Sequence, residues 1–302
     1  MDVPLPNETT MAPRPSVVTL PALPLPYPAI IDFLIARFPH VPETTWRNRL
    51  TSGKITDPEG TPITPATPYR PHMQLRYYRE TFREPAIPFQ ESILHQDDHL
   101  IVACKPHFLP VTPGGPYVNE CLLYRLIRHT GIRTLTPIHR LDKDTAGVIL
   151  FSADPQTRGT YQTLFDTGQV RKTYEAIARH PVSPETLRTT VRGRIEKGTP
   201  FFRMRETSGP VNAETVFTLT NTHGDQARYR VTPITGKKHQ IRLHMCRVAQ
   251  GIVNDRFYPT LQPEGEPDFN TPLKLISRRI SFTDPLLKKS RDFTTPRPLP
   301  WA

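Results

Sequence analysis

The amino-acid sequence predicts an α+β fold. Segments with helical spacing and segments with strand character follow one another without the strict alternation that a doubly wound parallel sheet requires. Neither GxGxxG nor GxxxxGK[ST] occurs, so binding of a nucleotide cofactor has no motif support. No repeat period of solenoid type is visible. The chain is therefore expected to fold with its helices and strands in irregular order.

Length and charge indicate the kind of partner. The chain has 302 residues, enough for one large domain or two smaller ones. It carries 39 Lys and Arg against 28 Asp and Glu, a formal charge of +11, and its pI is about 9.8. Because clustered cations raise the local concentration of phosphates, a polyanion is the expected partner.

The cysteines and the N-terminal residues indicate the compartment. Only three cysteines occur, widely spaced, which provides neither a disulfide framework nor a CxxC metal site. The first residues lack the basic and apolar regions of a signal peptide, and no run of 18 apolar residues is present. We expect a cytoplasmic protein that does not span a membrane.

The distribution of proline divides the chain. Of the 36 prolines, 17 lie in residues 1–90. Residues 1–28 are predicted to form an extended, proline-rich arm, because proline removes a backbone donor and fixes φ. Residues 29–80 are predicted to form a small helix–helix–hairpin module, and residues 90–302 the main domain. The chain after residue 250 is expected to be rich in loops.

The front module contains two predicted helices. Apolar residues at helical spacing predict the first helix from Ala29 to Phe38. The second is predicted from Pro42, where a first helical position tolerates proline, to Ser52, and Gly53 ends it. The residues that follow predict a strand and a turn.

The main domain contains both strands and helices. Its predicted strands are short apolar or alternating runs, and its predicted helices carry apolar residues near helical spacing. Asn119 and Asp154 are predicted helix N-caps, and Gly131, Gly168 and Gly251 are predicted to end helices. The predicted strands are 100–104, 148–151, 170–179, 211–219 and 227–231, and the predicted helices are 119–130, 154–168 and 238–250.

One segment concentrates charge directly before a predicted buried strand: His139-Arg140-Leu141-Asp142-Lys143-Asp144-Thr145-Ala146-Gly147. Arg140 and Lys143 flank Asp142, so its carboxylate should stay ionised, and an ionised carboxylate can act as a nucleophile or a base. From spacing alone, the simpler interpretation is an ordinary polar turn in which Asp144 and Thr145 bond local backbone.

Two further segments combine cations with other functional groups. In Arg171-Lys172-Thr173-Tyr174-Glu175, the Tyr174 ring can stack on a base, although tyrosine is also a normal strand residue. In Gly236-Lys237-Lys238-His239-Gln240-Ile241-Arg242, a strand-to-helix junction suits phosphate, and Arg242 suits a carboxylate or a phosphate. His239 and His244 are five residues apart, which is the wrong spacing for zinc on one helix face.

Taken in order, HRLDKDTAG, RKTYEAIA and KKHQIRLHM resemble the three signature segments of the RluA-type family of RNA pseudouridine synthases. The resemblance extends upstream to Asp97–Pro106 and downstream to Asn254–Tyr258. It implies a pseudouridine synthase catalytic fold over residues 90–302, with helices flanking a central, mixed and mostly antiparallel β-sheet. It also implies that specific uridines of structured ribosomal or transfer RNA are isomerised to pseudouridine without a cofactor or a metal.

Residue by residue, the resemblance implies that Asp142 is the catalytic aspartate, Tyr174 the aromatic that packs on the target base, and Arg242 the cation paired with Asp142. Asp142 would either add to the anomeric carbon or remove the neighbouring sugar proton. The uridine must leave its stack, and Arg140 is a candidate to fill the vacated space. The candidate phosphate contacts are Lys105, Lys172, Lys237 and Lys238.

Two other functions fit the sequence less well. A non-catalytic RNA-binding or RNA-chaperone protein on the same fold would be free to lose Asp142, which is present with its partners. A hydrolase would use Asp142 and Asp144 as a carboxylate pair, but no apolar pocket that would raise one pKa is evident. The enzyme is expected to be a monomer.

Residues 29–80 resemble a divergent form of the small RNA-binding module, of ribosomal-protein type, that precedes the catalytic domain in many family members. Arg47, Arg49 and Lys54 supply a basic helix and turn. The alternative is a structural appendage that binds nothing.

Overall fold

The structure, a computed structural model, describes residues 10–81, 84–179, 187–263 and 265–302. It divides into two compact units. The front unit contains the described residues up to Pro85 together with Pro113–Asn119, and the larger unit contains Ala86–Thr112 and Glu120–Ala302. Among the described residues, no helix has the length and apolar character needed to cross a bilayer. The same residues contain no group of three His, Cys, Asp or Glu side chains arranged to hold a metal ion.

In the front unit, two helices accompany a small antiparallel sheet. α1 (Ile30–Arg37) and α2 (Glu43–Thr51) match the predicted helices to within one residue at each end. The apolar faces of both helices and the strands bury one core, formed by Leu20, Ile30, Leu34, Trp46, Leu50, Ile55 and Leu75. The strands are β1 (Thr10–Met11), which pairs with β5 (Glu80–Thr81), and β2 (Ser16–Thr19), β4 (Gln74–Tyr77) and β3 (Ile55–Thr56), which form a sheet in that order.

A separate arm over residues 1–28 does not hold for the described residues. β2 pairs with β4 along its whole length, and Leu20 is fully buried in the core of the front unit. The Tyr69 hydroxyl donates to the Pro21 carbonyl, which ties the proline-rich residues to the module. Proline density is misleading here because residues 16–20 contain no proline and alternate in exposure. Residues 1–9 lie outside the described residues.

The larger unit contains one eleven-stranded sheet. In chain order, its strands are β6 (Ser92–Gln96), β7 (Leu100–Lys105), β8 (Thr136–Pro137), β9 (Ala146–Ser152), β10 (Arg171–Arg179), β11 (Arg188–Lys197), β12 (Met204–Thr207), β13 (Ala213–His223), β14 (Gln226–Pro233), β15 (Leu275–Thr283) and β16 (Ser290–Thr294). The order across the sheet is β12-β11-β13-β14-β10-β15-β9-β7-β6, with β16 also on β15 and β8 on β9. All pairs are antiparallel except β15 with β9. The mixed, mostly antiparallel sheet confirms the predicted fold class.

Three helices accompany the sheet: α3 (Leu122–Thr130), α4 (Arg158–Asp166) and α5 (Gln240–Val248). Asn119 is not the N-cap of α3, because its side chain donates to the Met11 carbonyl and Cys121 precedes the helix. The Asp154 carboxylate accepts the Gln156 amide in a turn, so α4 begins later than predicted. α5 ends at Ala249 rather than at Gly251.

The chain after residue 250 is rich in loops, as predicted, but it also supplies two strands of the sheet. β15 is a central strand, with β10 on one side and β9 on the other. Its apolar residues are interrupted by Arg278 and Arg279, which hides the strand in the sequence. Arg278 is accommodated because its guanidinium binds Glu175 of the adjacent β10.

Candidate active site

Asp142 lies in the loop between β8 and β9. The Thr145 amide donates to the Asp142 carbonyl at 3.1 Å, which closes a turn, and the Asp142 side chain remains 27% exposed. After the loop, Gly147 of β9 pairs with Ser277 of β15, and its φ is +112°. A Cβ at Gly147 would lie 2.2 Å from the Ser277 carbonyl oxygen. Glycine therefore allows the strand that follows Asp142 to approach β15.

Lys105 holds the backbone beside Asp142. Its ammonium is completely buried and donates to the carbonyls of Pro106, Leu109 and Lys143 at 2.9, 2.7 and 2.8 Å. Burial lowers the pKa of Lys105 to about 7, although nearby carboxylates act in the opposite direction. The prediction that Lys105 contacts phosphate is wrong, because all three of its donors are used inside the protein.

His107 holds the next carbonyl of the same loop. Its Nδ1 lies 2.7 Å from the Asp144 carbonyl oxygen, and burial lowers the pKa of His107 to about 4. The ring is therefore neutral at neutral pH, and Nδ1–H donates to the carbonyl. Together, Lys105 and His107 fix the two residues that follow Asp142.

Arg242 and Asp255 form a buried bidentate pair. Arg242 Nε and Nη2 donate to the two Asp255 oxygens at 2.8 and 2.6 Å. Asp255 also accepts the backbone amides of Phe257 and Tyr258, whose rings lie 4.7 and 5.6 Å from the guanidinium carbon. Burial by itself would lower the pKa of Arg242, but the hydrogen bonds and charge of Asp255, with the charge of Asp142, raise it. The guanidinium is permanently charged.

The third nitrogen of Arg242 faces the predicted catalytic aspartate. Arg242 Nη1 lies 3.7 Å from Asp142 Oδ2, within reach of Coulombic attraction and beyond hydrogen-bond distance. Arg242 is thus held by Asp255, and its predicted pairing with Asp142 is an ion pair without a hydrogen bond.

Tyr174 lies on β10 opposite Ser277 of β15, with 9% of the residue exposed. Burial raises the pKa of Tyr174 to about 12, the Ser277 hydroxyl acts in the opposite direction, and the charge of Asp142 adds to the rise. The phenol is therefore protonated at neutral pH, and Asp142 is close enough to affect it electrostatically.

His239 is a further side chain beside Asp142. Its Nε2 lies 3.9 Å from Asp142 Oδ1, and its Nδ1 is hydrogen-bonded to the Tyr258 hydroxyl at 3.0 Å. The residue precedes α5 with φ of +55°, a conformation that is uncommon outside glycine. Burial lowers the pKa of His239 to about 4, although Asp142 acts in the opposite direction, so the ring is neutral at neutral pH.

Four of the predicted RNA contacts remain accessible. Arg140, Lys237 and Lys238 are exposed, and Lys172 is half-buried, which lowers its pKa. Lys238 also donates to the Phe202 carbonyl at 2.9 Å. These cations lie on the segments that carry Asp142, Tyr174 and Arg242, so they border the site.

The three cations of the predicted basic helix and turn have internal partners. Arg47 forms an ion pair with Glu43, and Lys54 forms one with Glu80 at 2.7 Å. The Arg49 guanidinium stacks over the Trp46 ring at 5.3 Å. These contacts favour the structural appendage over the RNA-binding module.

The sequence alone assigns no role to His239, Asp255, Phe257 or Tyr258 in this site. Its one signal is the resemblance of Asn254–Tyr258 to a family segment. That segment does not reveal that Asp255, thirteen residues after Arg242, accepts its hydrogen bonds.

Comparison with known proteins is consistent with this fold. A family model described as RNA pseudouridylate synthase matches residues 99–246. An RNA pseudouridine synthase of Synechocystis is 28% identical over 230 residues, which cover 76% of this chain and 79% of that protein. The dual-specificity RNA pseudouridine synthase RluA of Pasteurella multocida is 26% identical over 229 residues, 72% of this chain and 97% of that protein. The solved structure of human RNA pseudouridylate synthase domain containing 4 has a TM-score of 0.54 at 28% identity, covering 68% of this chain and 88% of that one.

The fold and these matches define an RNA pseudouridine synthase, an isomerase that converts uridine in RNA to pseudouridine. Within that class, the matches support an RluA-type family. The predicted fold and activity are confirmed, and neither a non-catalytic RNA-binding protein nor a hydrolase accounts for the matches.

Proposed function

We propose that the target uridine binds against Asp142 and Tyr174, with Asp142 as the catalytic carboxylate. The observation that carries this assignment is the environment of Asp142. Its side chain is partly exposed, and Arg242, anchored by a buried carboxylate, holds positive charge 3.7 Å from it. A substrate can therefore reach a carboxylate that faces a fixed positive charge.

The reaction breaks the bond from the ribose C1′ to N1 of uracil and forms a bond from C1′ to C5. The proton on C5 leaves, and N1 ends protonated. Asp142 either adds to C1′ or removes the neighbouring sugar proton, and both routes need an ionised carboxylate beside the ribose. Tyr174 stacks on the uracil. Because the pKa of Tyr174 is about 12, phenolate is scarce at neutral pH, which favours stacking over proton abstraction.

The uridine reaches this site by flipping out of its stack, since the reacting atoms are inaccessible in a helix. Arg140, which is exposed and two residues from Asp142, is suited to fill the vacated space. Lys172, Lys237 and Lys238 are suited to neutralise phosphates. Their accessibility and their positions on the segments that carry Tyr174 and Arg242 support this role.

The proposed substrates are structured ribosomal or transfer RNA. The P. multocida relative is a dual-specificity RNA pseudouridine synthase, which supports more than one substrate RNA. The three cysteines are free thiols, which supports a reducing, cytoplasmic location. Asp142, Tyr174 and Arg242 come from one chain, so a monomer suffices for the chemistry.

Asp142→Asn tests the assignment, because it removes the negative charge at nearly constant size. Pseudouridine is mapped in ribosomal and transfer RNA incubated with the wild-type and variant enzymes. We expect no conversion by the variant, with RNA affinity within severalfold of wild type. Asp144→Asn, two residues away, is the matched control and should keep most of the activity. Pseudouridine formation by purified Asp142→Asn would contradict the role of Asp142.

A further inference from the structure

The turn between β11 and β12 carries an unusually exposed aromatic ring. Phe201 is 86% exposed, whereas the adjacent Phe202 is partly buried. We call Gly198–Arg203 the hairpin tip. A single exposed apolar residue is common on proteins, so the surroundings of Phe201 decide whether the ring has a function.

The backbone of the hairpin tip is held in place. The Gly198 amide donates to the Arg203 carbonyl at 2.9 Å, and the Arg203 amide donates to the Pro200 carbonyl at 2.9 Å. The Lys238 ammonium donates to the Phe202 carbonyl at 2.9 Å, which joins the tip to the segment before α5. An ordered backbone presents the Phe201 ring with little further loss of conformational freedom on binding.

Aromatic contacts connect the hairpin tip to the active site. The Phe201 and Phe202 ring centroids are 5.6 Å apart, and those of Phe202 and Phe257 are 5.3 Å apart. Phe257 in turn lies 4.7 Å from the Arg242 guanidinium, which faces Asp142. These contacts connect the hairpin tip to the side of the site that Arg242 and Phe257 form.

The charges near the hairpin tip suit a polyanion. Lys197 and Arg205 are exposed cations beside it in the sequence, Lys238 is joined to it by a hydrogen bond, and the exposed Lys237 precedes Lys238. The neighbouring acids have partners, since Glu196 binds Arg194 and Glu206 faces Arg247 and His244. An aromatic side chain among cations is the combination that binds single-stranded nucleic acid, with the ring on a base and the cations on phosphates.

We propose that Phe201 stacks on an unpaired base of the substrate RNA close to the target uridine, while Lys237 and Lys238 hold adjacent phosphates. The location relative to the target rests on the proposed function of Asp142. The stacking itself does not, because it concerns binding and requires no chemistry at Asp142.

The test uses binding of a labelled oligoadenylate of about twelve nucleotides, long enough to cover such a site, and of an RNA duplex of the same length. Phe201→Ala should weaken binding of the single strand roughly tenfold and leave binding of the duplex nearly unchanged. Phe201→Tyr and Phe201→Trp should bind the single strand about as tightly as wild type. Phe201→Leu should not, because leucine has no π face. The dependence of log affinity on log salt should keep its slope in Phe201→Ala and become shallower in Lys237→Ala.

Three outcomes overturn the inference. These are no measurable binding of the single strand by wild type, binding by Phe201→Ala within twofold of wild type, and full restoration by leucine. Leu287→Ala is the matched control, since Leu287 is 55% exposed at the turn between β15 and β16. The result is separable from the proposed function, because Asp142→Asn is judged by pseudouridine formation and Phe201→Ala by affinity alone. Phe201 is so exposed that its variants should unfold at the wild-type temperature, which thermal unfolding checks.

Discussion

Arg242 Nη1 lies 3.7 Å from Asp142, while the other two nitrogens of the same guanidinium bind Asp255 at 2.6 and 2.8 Å. The Asp255 side chain is fully buried and accepts the two short hydrogen bonds from Arg242. Asp142 receives no direct hydrogen bond from Arg242. Asp142 thus gains electrostatic stabilisation of its charge while its oxygens remain available to a substrate. Asp255 orients the cation, and the proposed catalytic carboxylate, Asp142, is a different one.

Arg242→Lys should therefore reduce kcat about a hundredfold or more, because lysine keeps one charge and loses the planar fork that Asp255 holds. Steady-state kinetics with RNA and a separate affinity measurement check this. Lys237→Ala, at an exposed position before the helix, should instead act mainly on affinity. A variant with normal kcat and weakened binding would show that Arg242 is a phosphate contact.

Lys105→Met should destabilise the protein by about 3 kcal/mol, because three buried carbonyls lose their donor. It should also lower kcat, since the Lys143 carbonyl next to Asp142 is released. Lys172→Met, the same change at a half-buried lysine that borders the site, should affect RNA affinity and leave the unfolding free energy within about 0.5 kcal/mol. Chemical denaturation and kinetics measure both.

The difference in stability between wild type and Lys105→Met should change with pH in one direction. The pKa of Lys105 is about 7 in the folded state, below its ordinary value of 10.5. Between these pH values the unfolded chain binds more protons, so this lysine makes wild type more stable as the pH rises from about 7 towards 10.5. The stability gap between wild type and Lys105→Met should widen over that interval. A constant or narrowing gap would contradict the lowered pKa of Lys105 in the folded protein.

Gly147→Ala should lower the unfolding free energy by more than about 3 kcal/mol, because the new Cβ would meet the Ser277 carbonyl at 2.2 Å at a positive φ. Gly224→Ala is the control: its φ is also positive, at +57°, but no atom lies within 4 Å of the added Cβ, so about 1 kcal/mol is expected. Equal effects at the two glycines would show that backbone strain alone, and not the approach of β9 to β15, requires Gly147.

The sequence predicts the parts of this molecule that local pattern determines. Asp142, Tyr174 and Arg242 lie in contiguous motifs, and α1 and α2 follow from helical spacing and from Gly53. The remaining features depend on contacts between distant residues. Lys105 has the appearance of a surface cation, and its burial becomes visible only when the Leu109 and Lys143 carbonyls surround it. β15 is hidden because Arg278 finds Glu175 on another strand.

His239 provides the sharpest test of the geometry around Asp142, because its two ring nitrogens have different neighbours. Nδ1 bonds the Tyr258 hydroxyl, and Nε2 faces Asp142 Oδ1 at 3.9 Å. The amide nitrogen of asparagine can replace Nδ1, whereas that of glutamine reaches the position of Nε2. Asparagine also tolerates the positive φ of this residue better than glutamine does.

The two substitutions should therefore rank in opposite orders for stability and for activity. His239→Asn should unfold at the higher temperature of the two, and His239→Gln should keep the higher kcat, because only glutamine places an amide nitrogen at the position of Nε2, facing Asp142. Thermal unfolding and single-turnover pseudouridine formation give the two rankings. If kcat followed stability in both variants, His239 would act only in packing against Tyr258, and its nitrogen facing Asp142 would have no part in the reaction.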